Sequence, residues 1–133
     1  NGKAFKGHGE VRIAKAGKSL SLIFECVRRE DDWKAKFVDR MRLYKDFLEN
    51  FVQFDSGFEA RPQLILVCED DKHMVETFKE VVKNGLQFEK IKVYYTTDLK
   101  QNADSLDKSL TEFTKNETTG KFEAKNIEFK ILE

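Results

Sequence analysis

The feature that most constrains the fold is the nearly unbroken apolar run "QLILVC" at residues 63–68, which follows Pro62. A strand without a polar face is typical of the middle of a sheet that is covered on both sides. Residues 71–83 carry apolar side chains at helical spacing and end at Asn84-Gly85, a pair typical of a helix C-terminus. Residues 90–95, "KIKVYY", predict another strand. This order predicts that the two strands pair in parallel within one sheet.

The N-terminal part predicts a β-hairpin. Residues 10–16 and 19–27 alternate between apolar and polar side chains, and Gly17-Lys18 between them fits a two-residue turn with glycine first. Extending the pairing from that turn places Glu10 opposite Glu25 on one face, while the other face is apolar and is predicted to be core. A slip of one residue would mix the two faces, so the pattern favours this register.

Two more helices follow from helical spacing of apolar residues. The first covers residues 32–51, with Asp31 or Asp32 as its N-cap. The second covers about 103–115, on the spacing of Leu106, Leu110 and Phe113.

A loop, "NETTGK", and a last strand within residues 121–132 complete the chain, with a short extra strand at 121–124 as an alternative. The whole order predicts one α/β domain over residues 1–133. We expect three layers, a mixed β-sheet with helices on both faces.

Composition narrows the function classes. The chain of 133 residues balances 24 Lys and Arg against 24 Asp and Glu, so it has no overall attraction to nucleic acid or to an anionic membrane. It contains no long apolar run and no visible signal peptide. Cys26 and Cys68 lie in apolar runs and are predicted to be buried reduced thiols of a cytoplasmic protein. Because it begins with Asn1, we expect a fragment of a longer protein.

A hairpin, a helix and a buried strand–helix–strand unit resemble the core order of the restriction-endonuclease-like fold. In that fold a Pro-Asp pair opens the first catalytic strand, and a Glu-x-Lys motif lies on the next strand. Here "HGE" at residues 8–10 stands in the first position and "ECV" at 25–27 in the second. The resemblance implies a nuclease-like scaffold in which Val27 replaces the catalytic lysine.

More specifically, the chain resembles the C-terminal half of the replication-relaxation family of plasmid and conjugative-element proteins. The resembling stretches are "LSLIFECVRREDDWKAKFVDRMRLYKDFLEN", "RPQLILVCEDDKHMVETFKEVV" and "KVYYTTDL", within about residues 8–100. The resemblance implies an intracellular protein of a mobile element, with an N-terminal winged-helix DNA-binding part before Asn1. It implies DNA and other proteins of the element as partners.

Glu10 and Glu25 are the candidate catalytic and metal-binding residues. As two facing carboxylates they would hold Mg²⁺ and generate a hydroxide nucleophile, with Glu69 as a third acid. Val27 cannot supply the cationic charge that phosphodiester hydrolysis needs. We therefore favour a structural ion cluster, in which Arg12 lies diagonal to Glu25 and shields both acids.

The candidate nucleic-acid-binding residues are basic side chains just before the long helix and along its first half: Arg28, Arg29, Lys34, Lys36 and Arg40. Lysine and arginine supply most non-specific affinity for phosphates. The basic positions are spread around the helix and interrupted by Asp39 and Asp46, a pattern that also fits a solvated face.

The segment "EDDKH" at residues 69–73 follows the buried strand, at the edge of the sheet where α/β proteins often bind ligands. Its acids could hold a divalent ion, or they could cap the helix that follows, which we favour. His8 and His73 show no zinc-type spacing and are predicted to be surface residues.

These observations predict a non-catalytic nuclease-like domain of a mobile-element replication or mobilisation protein, acting in DNA or protein interaction without a cofactor. One alternative is a Mg²⁺-dependent DNA nuclease. Another is a dimerisation module with an apolar surface around Phe51, Phe54 and Phe58. No membrane partner is expected.

Overall fold

A computed structural model describes residues 9–15, 18–50, 63–88, 92–98, 100 and 109–127 of the protein, and for 9–15 and 18–20 the backbone alone. The six strands are β1 (Gly9–Lys15), β2 (Lys18–Cys26), β3 (Gln63–Cys68), β4 (Val93–Thr97), β5 (Leu110–Lys115) and β6 (Phe122–Ile127). The helices are α1 (Trp33–Glu49) and α2 (Asp71–Lys83). The strands form one mixed sheet in the order β1-β2-β3-β4-β5-β6, so the predicted mixed α/β class is confirmed.

The centre of the sheet is parallel, as predicted. β2 pairs with β3 and β3 pairs with β4, both in parallel, while the pairs β1–β2, β4–β5 and β5–β6 are antiparallel. The chain adds β2, β3 and β4 in one direction across the sheet. With the right-handed crossovers usual in such units, α1 and α2 then fall on the same face.

The face under the helices carries the larger of two hydrophobic clusters. Strand side chains such as Ile23, Leu64 and Leu66 pack there against Met41 of α1 and Phe78 of α2. The opposite face carries a second cluster of buried residues: Leu22, Ile65, Val67, Tyr94 and Leu110. Because both faces of β3 are buried, its apolar run contains no polar interruption after Gln63.

The register of the N-terminal hairpin differs from the prediction. Lys15 pairs with Lys18, so the turn is one residue earlier in the chain and every pair shifts by two. Glu10 therefore pairs with Ile23, and the predicted pairing of Glu10 with Glu25 is wrong. A shift of two residues keeps every side chain on its face, so the alternation of the sequence fits both registers equally well.

The predicted helix over 103–115 is wrong for its second half, because Leu110–Lys115 is strand β5. Leu110 and Phe113 are three apart, which fits a helix but also fits a strand buried on both faces. Leu110 belongs to one hydrophobic cluster and Phe113 packs against the other. Residues 103–108 lie outside the described residues, so the expectation of helices on both faces stays a prediction. Both helices that the structure describes lie on one face.

The boundaries of the helices follow local chemistry. α2 begins as predicted, because the Asp70 carboxylate accepts a hydrogen bond from the backbone N–H of His73, 2.8 Å away. It ends at Lys83, and Gly85 follows in the left-handed conformation (φ 64°), with the Leu86 N–H donating to the Val81 carbonyl. α1 differs: Asp32 stands at its N-cap in the left-handed conformation, and its side chain makes no capping hydrogen bond.

The structure also describes two further predicted strands and both cysteines. β4 covers Val93–Thr97, and residues 90 and 91 of the predicted strand lie outside the described residues. β6 covers Phe122–Ile127 after the predicted loop, and the part of the predicted last strand beyond residue 127 lies outside the described residues. Cys68 is fully buried, which raises the pKa of its thiol to about 11, and Cys26 is half-buried. Within the described ranges, no helix combines the length and apolar character that crossing a bilayer requires.

Candidate functional site

A cleft of about 600 Å³ opens where β2 passes into α1. Its floor comes from the end of β2, and one wall comes from the first two turns of α1, because the chain reverses between these elements. The cleft combines acidic, basic and aromatic side chains. Its lining residues are Glu25, Cys26, Val27, Arg28, Glu30, Trp33, Lys36, Phe37 and Arg40.

Glu25 lies at the bottom of this cleft and is only 5% exposed. Strand alternation points it toward α1, where it meets Tyr44 and Arg40. The Tyr44 hydroxyl donates a hydrogen bond to Glu25 Oε1, and Arg40 Nε donates to the same oxygen at 3.2 Å. Arg40 and Tyr44 are four residues apart, so they project from the same face of the helix. We call these three residues the Glu25 cluster.

The Glu25 cluster is internally matched in charge and hydrogen bonding. The Arg40 guanidinium lies 5.2 Å from the centre of the Tyr44 ring, a cation–π distance. Burial and the hydrogen bond to Glu25 raise the pKa of Tyr44, so its hydroxyl remains a donor. A buried carboxylate with a cation and a neutral donor satisfies the usual requirement for burying a charge.

Val27, the residue that stands at the lysine position of the nuclease pattern, is part of the hydrophobic core. Its side chain is 5% exposed and belongs to the core under the helices. Its backbone N–H donates to the Val67 carbonyl at 2.8 Å, which continues the ladder between β2 and β3. Lys36 of α1 is the lysine that lines the same cleft as Glu25.

The three predicted arginine contacts to nucleic acid are all engaged with acids of the protein. Arg28 pairs with Asp98 at 3.0 Å, beyond the end of β4. Arg29 pairs with Asp70 and Glu69, beyond the end of β3. Arg28 and Arg29 thus connect the β2–α1 connection to the ends of β4 and β3, whereas Arg40 connects α1 to Glu25 of β2.

The predicted lysine contacts are differently placed. Lys34 and Lys36 both have exposed side chains. Lys34 Nζ lies 5.8 Å from the centre of the Trp33 ring, which itself lines the cleft. Lys36 makes no ion pair within the described part of the chain, so its charge faces the cleft and solvent.

The predicted acidic ligands do not gather around one point. Glu69 accepts a hydrogen bond from the Arg29 backbone N–H, and this bond lowers the pKa of Glu69. Asp70 caps α2, and the cap together with Arg29 lowers the pKa of Asp70. The Glu10 side chain lies outside the described residues. Among those that the structure does describe, no three His, Cys, Asp or Glu side chains are grouped to hold a metal ion.

His73 is a buried residue, so its prediction as a surface residue is wrong. Its Nδ1 accepts a hydrogen bond from the Glu69 backbone N–H at 3.0 Å, and its ring makes an edge contact with Trp33 at 4.7 Å. The Nε2 atom is buried without a hydrogen-bond partner in the described ranges. The helical spacing of His73, Thr77 and Val81 could have revealed this burial, since all three lie on the inner stripe of α2.

Searches of protein-family models, of curated proteins and of solved structures found no match to this chain. The resemblance to the restriction-endonuclease-like fold and to the replication-relaxation family therefore stays a prediction.

The Glu25 cluster predicts a large effect of Glu25→Ala on stability. The substitution removes the acceptor of Tyr44 and the anion beside Arg40, and a buried hydrogen bond to a charged group contributes roughly 1.5–3 kcal/mol. We expect the free energy of unfolding to fall by about that amount in urea denaturation. The matched control is Asp39→Ala on the exposed side of α1, which should change it by less than about 0.5 kcal/mol. Equal stability of the two variants would contradict a structural role for Glu25.

The environment of His73 predicts a loss of stability in mild acid. Burial lowers the pKa of His73 below its ordinary 6.5. As the pH falls below about 6.5, the unfolded chain therefore binds a proton at this histidine before the folded chain does. The free energy of unfolding should be constant above about pH 7 and decrease as the pH falls below about 6.5. The lowered pKa values of Glu69 and Asp70 act only at more acidic pH.

The measurement is urea denaturation between about pH 5 and 7.5, near the ordinary histidine pKa. His73→Gln should remove most of the pH dependence, whereas the matched control His8→Gln should retain it. A wild-type pH dependence that survives in His73→Gln would assign the titration to another group.

Proposed function

We propose that this chain is a non-catalytic binding domain whose cleft between β2 and α1 contacts the phosphate backbone of DNA. The observation that carries the proposal is the state of Glu25. Of the two facing acids that the nuclease pattern requires, Glu25 is buried and held by Tyr44 and Arg40, while cationic and aromatic groups line the open part of the same cleft.

The chemistry of metal-dependent hydrolysis supports the non-catalytic part of this proposal. Mg²⁺ requires carboxylate oxygens that are open to the ion, usually from more than one acid. Glu25 Oε1 instead accepts hydrogen bonds from two protein groups. Val27 supplies hydrocarbon where the nuclease pattern has an ammonium group, and a hydrocarbon cannot stabilise a developing negative charge.

The open part of the cleft supports the binding part. Lys36 and the partly exposed Arg28 and Arg40 lie along it, and their side chains can approach phosphates without a defined base sequence. Trp33 offers an aromatic surface of the kind on which bases of single-stranded nucleic acid stack. Since Arg28 and Arg40 also pair with acids, we expect modest affinity with strong dependence on salt.

The predicted biological setting belongs to the same proposal. A mobile-element replication or mobilisation protein with a separate DNA-binding part would use this domain as an additional, non-specific contact to DNA. The resemblance to the replication-relaxation family motivates this setting.

Lys36→Ala should weaken DNA binding uniformly across sequences. Removing one phosphate contact lowers the slope of log affinity against log salt by roughly 1. The measurement is fluorescence anisotropy of the purified chain with labelled single-stranded and duplex oligonucleotides at several salt concentrations. The matched control is Lys121→Ala, in the exposed β5–β6 connection away from the cleft.

Two results would contradict the proposal. One is the absence of DNA binding by the wild-type chain at low salt. The other is an equal effect of Lys36→Ala and Lys121→Ala, because it would mean that DNA contacts the protein through its general charge rather than through the cleft.

A further inference from the structure

β6 differs in its exposure from the other strands whose side chains the structure describes. It is the outermost strand on its side of the described sheet, and its residues from Phe122 to Asn126 are all exposed. A strand edge carries backbone donors and acceptors that can pair with another strand, and proteins usually protect such edges. The open edge of β6, with exposed residues from Phe122 to Asn126, is therefore a candidate interaction surface.

The turn before β6 fixes which backbone groups face its open edge. The Asn116 N–H donates to the Lys121 carbonyl at 2.7 Å, which makes these two residues a hydrogen-bonded pair. Hydrogen-bonded and non-hydrogen-bonded pairs alternate along an antiparallel ladder. With the observed β5–β6 register, the N–H and C=O groups of Phe122, Ala124 and Asn126 point away from β5, toward the open edge.

We propose that two copies of this chain pair through β6, antiparallel and about a twofold axis at Ala124, so that their sheets become continuous. In this register Ala124 lies opposite the partner's Ala124, and Phe122 lies opposite the partner's Asn126. Each of the three outward-facing residues then donates and accepts one backbone hydrogen bond across the interface.

Charge complementarity selects this register and a second copy as the occupant. Between the hydrogen-bonded pairs, Glu123 lies opposite the partner's Lys125, and Lys125 lies opposite the partner's Glu123. Side chains approach most closely at such non-hydrogen-bonded positions. Moving the axis to Glu123 or to Lys125 would place that residue opposite its own copy, with like charges in contact. Moving the axis to Phe122 would pair Glu123 with the partner's Lys121, outside the strand, and would leave Lys125 opposite Thr119 of the turn. The axis at Ala124 is therefore the one that pairs both charged residues of β6 with an opposite charge within the strand.

The apolar surface of β6 agrees with this pairing. The Phe122 side chain is 39% exposed although its ring contacts Phe78 of α2, with 5.0 Å between the ring centres. Ala124 lies on the same face as Phe122, and its small side chain leaves room across the twofold axis. Pairing would remove part of the exposed Phe122 ring from water.

Charge reversal tests the proposal by sedimentation velocity over a series of protein concentrations. The wild-type chain should shift from monomer to dimer as its concentration rises. Glu123→Lys alone and Lys125→Glu alone should each weaken dimerisation by roughly tenfold or more, because both opposite-charge pairs become like-charge pairs. An equimolar mixture of the two variants should restore the dimer, since both mixed pairs are again complementary.

The mixture also separates the interface from effects within one chain. Glu123 accepts a hydrogen bond from Asn116 at 2.9 Å, and Lys125 pairs across the hairpin with Glu112. Each variant chain has the same altered contact within its own hairpin whether it is alone or in the mixture. A dimer that forms only in the mixture therefore reports on the interface between chains. The double variant Glu123→Lys/Lys125→Glu keeps complementary pairs and should dimerise like the wild type. It carries the test if a single variant fails to fold by circular dichroism.

Three results would overturn the proposal. The wild-type chain could remain monomeric at the highest concentration. The single variants could dimerise as well as the wild type, which would place the interface elsewhere, for example on the apolar surface predicted around Phe51. The mixture could associate no better than its components, which would exclude the Glu123–Lys125 pairing.

Discussion

The structure depends on the burial of one carboxylate. Glu25 points from the central part of the sheet into the core under α1, where an unpaired charge would be strongly unfavourable. Arg40 and Tyr44, which project from the same side of α1, offset this cost by donating hydrogen bonds to the carboxylate. Their contact with Glu25 fixes the rotation of α1 about its own axis, and this rotation determines which side chains of α1 border the cleft. Glu25 thus contributes to the support of the fold through its contacts with α1.

The arginines around the cleft are also paired with charges of the same chain, at the edge of the sheet where the strands end. The β2–α1 connection carries Arg28 and Arg29, which pair with acids beyond the ends of β4 and β3. In the sequence these arginines form part of a basic segment, but in the structure each has acidic neighbours from another segment. The positive charges of these two arginines are therefore balanced by acids of the same chain. The proposed DNA contact depends on Lys36 for this reason.

The elements that could be predicted from the sequence are those whose apolar pattern fits only one kind of secondary structure. β3 and α2 have the expected boundaries, because an apolar run and a helical stripe each fit a single structure. The predicted hairpin register was wrong because a shift of two residues keeps every side chain on the same face of the sheet, so the alternation cannot distinguish the two registers. The strand β5 was predicted as a helix because Leu110 and Phe113 are three residues apart. In the structure they pack on opposite faces of a sheet that is buried on both faces. The Glu25 cluster depends on contacts 15 and 19 residues apart, and neither the spacing nor the composition contains such information.

The central claim is that the carboxylate of β2 supports the fold and performs no hydrolysis. The most direct measurement is the conversion of supercoiled plasmid to nicked or linear DNA, followed on a gel, with the purified chain and either Mg²⁺ or Mn²⁺. Glu25→Gln serves as the paired sample, because the amide can still accept the Tyr44 hydrogen bond. The account predicts no cleavage above that of buffer in either sample. Cleavage by the wild-type chain that a folded Glu25→Gln variant loses would contradict it.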